Sequence, residues 1–409
     1  MTTLRGSPGQ NSGEFCYIIA LGQLLNYLEM TTLDQKKVSC SAVKEILPKH
    51  WITRSYRQGD EHEILDLWRR VFQQDRSLDH WYWKFKNNPY LGAHAALACT
   101  NDEGKIVGHY SGIPIKLNFK GDPVQVCQCS DLVIDPDFRG QGMFLETARY
   151  SHNEFRESGA RMVFAFLSPT SYPGHLRYLN WKPITHLDHY WHRLNLFCSQ
   201  GRSFSWLIFS RIINLFYNTI LQSKLFLERF RLKHFSINMV FHLSDNLTFH
   251  HSKTVPDGYD ELWQAIKPYE ILSMWKDSEY FKWRYEQNPD REFNYFYLVK
   301  DDAIMGIAVV NAEVGGYVTI CELLVRHRNV INARLLINRI LSTYSGGEYK
   351  KIRFVGKDVG FFKETFATFR SEVWFGIVLC GEVFDNEELE AYVTNSSYWT
   401  LTYGDIDLI

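Results

Sequence analysis

The stretch Asp131-Leu-Val-Ile-Asp-Pro-Asp-Phe-Arg-Gly-Gln-Gly-Met-Phe144 decides how the rest of the chain is read. Leu132 to Ile134 is a short apolar run with the character of a strand, and Asp135-Pro136 stops it, because proline has no N–H and restricts the residue before it. Arg139-Gly-Gln-Gly142 follows, then an apolar, helix-prone run from Met143 to Tyr150. Glycines between a strand end and a helix start let main-chain N–H groups approach an anion closely. The helix N-terminus adds the positive end of its dipole. The arrangement suits a diphosphate.

Spacing separates the phosphate-loop classes. A Walker loop needs Lys-Ser/Thr after its second glycine, and none is present. A dinucleotide fingerprint needs a third glycine and an acidic residue after the next strand, and neither is clear. What remains, Arg-x-x-Gly-x-x after a strand that ends in x-Pro-x-x, resembles motif A of the GNAT superfamily of acyl-CoA-dependent N-acyltransferases, Arg/Gln-x-x-Gly-x-Gly/Ala. Arg139 and Gly142 match, and Phe144 stands where a small residue is usual. The form Arg-Gly-x-Gly-x-Phe is similar to a subset that includes Eis-type enzymes and acetyltransferases of polysaccharide gene clusters. Taken without its flanks, the same loop also reads as a glycine-rich turn before a surface helix.

The resemblance implies an α/β fold with a mixed sheet, acetyl-CoA or another acyl-CoA as co-substrate, no metal, and a primary amine as acceptor, an amino sugar among the candidates. It implies that Leu132, Val133 and Ile134 hold the pantetheine through their main chain. It also implies that the N–H groups from Arg139 through Gly140, Gln141, Gly142 and Met143 to Phe144 hold the diphosphate. Acyl transfer to an amine further needs a deprotonated amine and a protonated leaving thiolate. Asp131 is the best match to the general base. At the splay of the sheet, beside an apolar strand, its pKa is expected to rise; its other reading is capping the strand end or pairing with Arg139. His109, on the preceding strand, is the runner-up. The family often places an acid tyrosine five residues before the aromatic that ends the short helix. That aromatic is Trp181, and the position holds Leu176, so the match fails. Tyr172, in the loop Ser168-Pro-Thr-Ser-Tyr-Pro-Gly174, is the choice over His175 and Tyr178; its other reading is a core tyrosine.

A repeat lies 200 residues downstream. Trp83-Lys-Phe-Lys-Asn-Asn-Pro89 recurs as Trp283-Arg-Tyr-Glu-Gln-Asn-Pro289, Leu67-Trp68 as Leu262-Trp263, and Ile106-Val-Gly108 as Ile304-Met-Gly306. Matching order across three landmarks predicts two tandem domains of one fold. The second is degenerate: where the glycine loop belongs, the chain reads Arg326-His-Arg-Asn-Val-Ile331. The expected division is a weakly patterned extension over 1–50, a domain with the acyl-CoA site over 51–196, an apolar helical linker over 197–250, and the degenerate copy over 251–409. Met30 is a second candidate start. Within the first copy the pattern predicts helix, helix, three strands, helix, strand, short helix, strand.

With 409 residues, 45% hydrophobic and 15% aromatic, the chain can build sizeable cores. A formal net charge of −1 provides no global field for nucleic acid. The eight cysteines contain no C-x-x-C, so a reducing, cytoplasmic location is expected. Cys127 and Cys129 alternate along one strand and are expected to fill a core. His186, His189 and His192 fall on alternating strand faces and do not converge on a metal. Between the copies, 204–232 carries one polar stripe of Arg211, Asn214, Asn218 and Gln222 on an otherwise apolar run. That suits a helix buried between the halves or one lying on a membrane surface. Two other functions fit the fold: a Fem-type transferase using aminoacyl-tRNA, against which the intact glycine loop argues, and a non-catalytic module that binds acyl-CoA.

Overall fold

The computed structural model describes residues 50–90, 94–100, 103–194, 219–220, 223, 247–313, 316–345 and 349–407. All but the last residue of the extension expected over 1–50, and nearly all of the apolar segment 204–232, lie outside them. Among the described residues, no helix is long and apolar enough to cross a membrane.

The chain opens with β1 (Trp51–Ser55) and α1 (Glu61–Phe72), whose buried stripe includes Ile64 and Leu67. A short α2 (Leu78–Trp81) starts where the Ser77 hydroxyl accepts from the His80 N–H, and it widens into a π-turn over Tyr82–Lys86. Three antiparallel strands follow: β2 (His94–Thr100), β3 (Ile106–Phe119) and β4 (Asp122–Ile134). Then come α3 (Met143–Glu157), β5 (Met162–Leu167), α4 (Tyr172–Tyr178) and β6 (Lys182–Arg193). All six residues of β5 are apolar and buried, as a strand covered on both faces requires.

The second half repeats this order with β7 (Thr248–Ser252), α5 (Tyr259–Ile266), β8 (Leu272–Met274), and α6 (Ser278–Phe281) with its own π-turn over Lys282–Glu286. It continues through β9 (Phe293–Lys300), β10 (Ala303–Ala312), β11 (Tyr317–Val325), α7 (Val330–Tyr344), β12 (Lys351–Lys357), α8 (Phe361–Thr365), β13 (Arg370–Val383), α9 (Glu387–Val393) and β14 (Leu401–Thr402).

Among the described residues, the strands join one 14-stranded mixed sheet, whose main path runs β1-β2-β3-β4-β5-β13-β6-β12-β11-β10-β9-β7. The halves exchange strands, β6 from the first and β13 from the second. β13 lies antiparallel between β5 and β6, and β6 pairs β12. The sheet is therefore continuous between the two halves. One face carries a large core under α1, α5 and both π-turns, including Ile64, Trp83, Ile115, Trp263, Trp283 and Ile307. The opposite face carries separate cores under α3 and under α7. The two π-turns meet on the first face. The Trp83 indole N–H donates to the Trp283 carbonyl (2.6 Å), and the Trp283 indole N–H donates to the Trp83 carbonyl (2.7 Å). Their rings stack with centroids 5.7 Å apart. Residues 200 apart thus satisfy each other's buried polar groups, which leaves none of the cost of an unpaired indole N–H.

Candidate active site

β4 and β5 are parallel but pair only at Cys127↔Val163 and Gln128↔Phe164. Beyond that level β4 runs on to Ile134 without β5 beside it, so the sheet splays. A bulge contributes. The β3–β4 register runs His109↔Val133 and then Ser111↔Ser130, which leaves one extra residue on β4 around Asp131 and Leu132. Asp131 takes φ +52° there. A bulge bends its strand and re-aims the local side chains.

At the top of β4 the Asp135 side chain accepts from the Asp137 N–H and caps a 3₁₀ turn over Pro136–Phe138. Gly140 (φ +76°) and Gly142 (φ +82°) then turn the chain into α3 through left-handed conformations that disfavour side chains. A Cβ at either glycine would meet nothing within 4 Å, so the loop faces open space. Among the described residues, the N–H groups of Gly140, Gln141, Gly142, Met143 and Phe144 donate to no protein acceptor. Successive unpaired N–H groups at the start of a 15-residue helix form a ready anion site. The helix start is anchored from below by Met143, which is fully buried. Its Sδ lies where Gly108 has no side chain; a Cβ there would approach it to 2.6 Å.

Phe144, the departure from the family pattern, has its own accommodation. Its ring packs on His175 (5.0 Å) and Tyr110 (6.4 Å), and Gly174 leaves it room, since a Cβ there would come within 3.3 Å. Tyr172 is the first residue of α4 and packs against the core that holds Cys129 of β4 and Leu167 of β5, beside the splay. Cys127 and Cys129 do share one face there, and burial pushes both thiols up.

The expectation for Asp131 is reversed. Its carboxylate is buried but meets two cations, Arg76 and Lys84 (3.0 Å), and their attraction outweighs desolvation and holds it well below the usual carboxylate range. A carboxylate so deeply stabilised as the anion is a weak proton acceptor and acts as a counter-ion. Lys84 also lies 3.5 Å from Asp407, which accepts from the Ser130 hydroxyl (2.6 Å), so the C-terminal segment reaches the splay. His109, the runner-up, donates through Nδ1 to the Asp131 carbonyl (2.7 Å). That bond fixes the tautomer in which Nε2 carries the lone pair. Nε2 is buried and meets no partner among the described residues, and burial lowers the imidazole's pKa, keeping it neutral at pH 7.

Sequence spacing did not reveal the polar cluster under α3. The Tyr110 hydroxyl lies 3.1 Å from His152 Nε2 and 3.5 Å from His175 Nε2, and His175 Nδ1 donates to the Ser171 carbonyl. Burial lowers both imidazoles, His152 to about 3. In the unfolded chain His152 binds a proton near pH 6.5, so its contribution to stability is present above that pH and is lost as pH falls toward 3. The melting temperature of the wild type is expected to fall from pH 6.5 to 4 more steeply than that of His152→Phe, compared by calorimetry; parallel curves would remove His152 as the cause.

In the second half, β11 and β12 pair from Tyr317↔Lys351 to Ile320↔Phe354 and then separate. There β14 pairs β12 and fills the opening. His327 (φ +54°) and Arg328 (φ +51°) make the loop's left-handed turn without glycine, and Arg328 pairs with Asp358. On β6, His189 bonds Glu372 and His192 packs on Phe369, on opposite sheet faces.

A splayed mixed sheet with an open glycine loop over the gap defines the class, an acetyltransferase-type α/β fold. Residues 53–184 match the family model of the acetyltransferase (GNAT) domain. The fold as a whole is similar to a conserved protein of unknown function from Enterococcus faecalis V583 described as a probable N-acyltransferase, with TM-score 0.56, 10% identity, and coverage of 82% of this chain and 73% of that one. It is also similar to GCN5-related N-acetyltransferases from Kribbella flavida (TM-score 0.54, 13% identity, 84% and 72% covered) and Anabaena variabilis (TM-score 0.54, 9% identity, 81% and 72% covered). No curated protein sequence matches the chain significantly.

Proposed function

We propose that the protein is an acetyl-CoA-dependent N-acyltransferase of tandem GNAT type, whose first half binds the coenzyme and whose second half has lost that site. The observation that carries this reading is the row of unpaired N–H groups from Gly140 to Phe144 above the gap between β4 and β5. In it, the diphosphate sits on that row with Arg139 beside it, and the pantetheine follows Leu132, Val133 and Ile134 into the gap. The acyl-CoA supplies the activated thioester. The chain orients that carbonyl, excludes water and manages two protons. His109 Nε2 is the base that the geometry favours, reached through water because the ring is buried, with Asp131 and its two cations fixing the strand that carries the carbonyl partner of Nδ1. Tyr172 at the start of α4 protonates the departing sulfur. The acceptor is a primary amine, an amino sugar among the candidates. The reciprocal Trp83 and Trp283 pair and the exchanged strands support the tandem reading. Among the described residues, five buried free thiols suit a cytoplasmic setting.

Thermal unfolding with acetyl-CoA at 100 times its Kd is expected to show a stabilisation of about 2.7 kcal/mol, and an amine panel to show free thiol released in proportion to acylated amine. Absence of any shift removes the coenzyme site; a shift without turnover on any amine leaves a binding module.

A further inference from the structure

Where β6, β12 and β13 extend past the end of β5, one sheet face is open among the described residues. Arg370 and Glu372 are exposed, and Trp191, His189, Lys351 and Arg353 are half-buried. The register places Arg370, Trp191 and Arg353 side by side across three strands. The Lys351 ammonium lies 4.4 Å and the Arg370 guanidinium 5.1 Å from the centre of the Trp191 ring. Arg353 lies between Tyr317 (4.8 Å) and Tyr403 (5.3 Å), with its Nε donating to the Thr319 hydroxyl. The acid on this face, Glu372, bonds His189, and among the described residues Lys351, Arg353 and Arg370 form no ion pair. Three cations held over aromatic rings, without a paired carboxylate among the described residues, form a recognition surface for an anion.

The surface leads to the splay. Tyr403 packs near Trp374 on β13, and four residues further on Asp407 bonds Ser130 of β4. Four residues span at most about 14 Å, within reach of a modest substrate whose amine enters the gap.

Resting on the acyl-transfer reading, we propose that the acceptor is a small amine that also carries an anionic group, phosphate or carboxylate, and that Lys351, Arg353 and Arg370 bind that group with Trp191 as a platform. Acceptor pairs test it: glucosamine against glucosamine 6-phosphate, and ethanolamine against phosphoethanolamine. Both kcat/KM and calorimetric binding to the coenzyme A-loaded protein would be measured. The charged member is expected to be favoured at least tenfold, mainly through KM. The preference should disappear in the double variant K351E/R370E, whose affinity for acetyl-CoA should be unchanged. Equal use of both members, a preference that survives the double variant, or no response to any charged member overturns the proposal. Tighter, length-dependent binding of a single-stranded oligonucleotide also overturns it, in favour of a nucleic-acid surface. If acetyl-CoA fails to bind while glucosamine 6-phosphate binds the wild type and not the double variant, the coenzyme reading fails and the anion site stands.

Discussion

Gly142→Glu is expected to abolish stabilisation by acetyl-CoA and to weaken coenzyme affinity by more than a hundredfold, while the protein still folds. Gly142 sits at φ +82° as the residue before α3, and a Cβ there meets nothing within 4 Å. The new side chain therefore fits, and the backbone strain is about 1–2 kcal/mol. That lowers the melting temperature by a few degrees without unfolding the domain. The larger effect is electrostatic. The carboxylate lies in the cradle of N–H groups from Gly140 to Phe144, satisfies them itself, and repels a diphosphate by like charge. Gly142→Ala separates the contributions, since it adds the strain without the charge and should lose roughly tenfold in affinity. If Gly142→Glu still showed a full thermal shift with acetyl-CoA, the loop would not be the coenzyme site.

The loop itself was legible because its chemistry is local. A strand end, a proline stop, two glycines and a helix start follow one another within 14 residues, and each has a sequence signature. The 200-residue repeat was legible as three landmarks in matching order, although the π-turns at Trp83 and Trp283 were not. Two further features were not. The exchange of β6 and β13 between the halves depends on which strand edges meet, and nothing in the alternation of either strand specifies its neighbour. The environment of Asp131 depends on Arg76 and Lys84, which lie 55 and 47 residues earlier. Burial was foreseen and the cations were not, so the direction of its pKa came out reversed. Tyr110, His152 and His175 escaped for the same reason, since three elements bring them together. Phe144 looked like a defect in the motif; its complement, Gly174, is 30 residues away.

Asp131→Asn is expected to destabilise the protein by about 3–5 kcal/mol, because it leaves Arg76 and Lys84 buried without their counter-ion. The second half supports a scaffold role for this pair. Lys276, 200 residues after Arg76, pairs with Glu322 at 2.8 Å. Glu322 precedes Val325, the partner of Gly306, by three residues, just as Asp131 precedes Ile134, the partner of Gly108. Glu322 also accepts from the Tyr285 hydroxyl and from Thr402 of β14, in the opening that β14 fills. The carboxylate–cation pair thus persists where the loop lacks its glycines. If Asp131 is a counter-ion, the Asp131→Asn variant should retain measurable turnover at low temperature, and its kcat/KM should keep the acidic limb, because a carboxylate held that low does not titrate near neutrality. The limb belongs instead to His109, whose folded pKa burial lowers from its ordinary value, so activity should hold at pH 6.5 and fall only as pH drops through that lowered pKa. His109→Gln should flatten the limb and cost about 10²–10⁴ in turnover, the usual contribution of general-base catalysis. The opposite pattern, a thousandfold loss in Asp131→Asn with an unchanged melting temperature and an intact limb in His109→Gln, would return the base to Asp131. Paired melting curves and pH–rate profiles of the two variants decide between them.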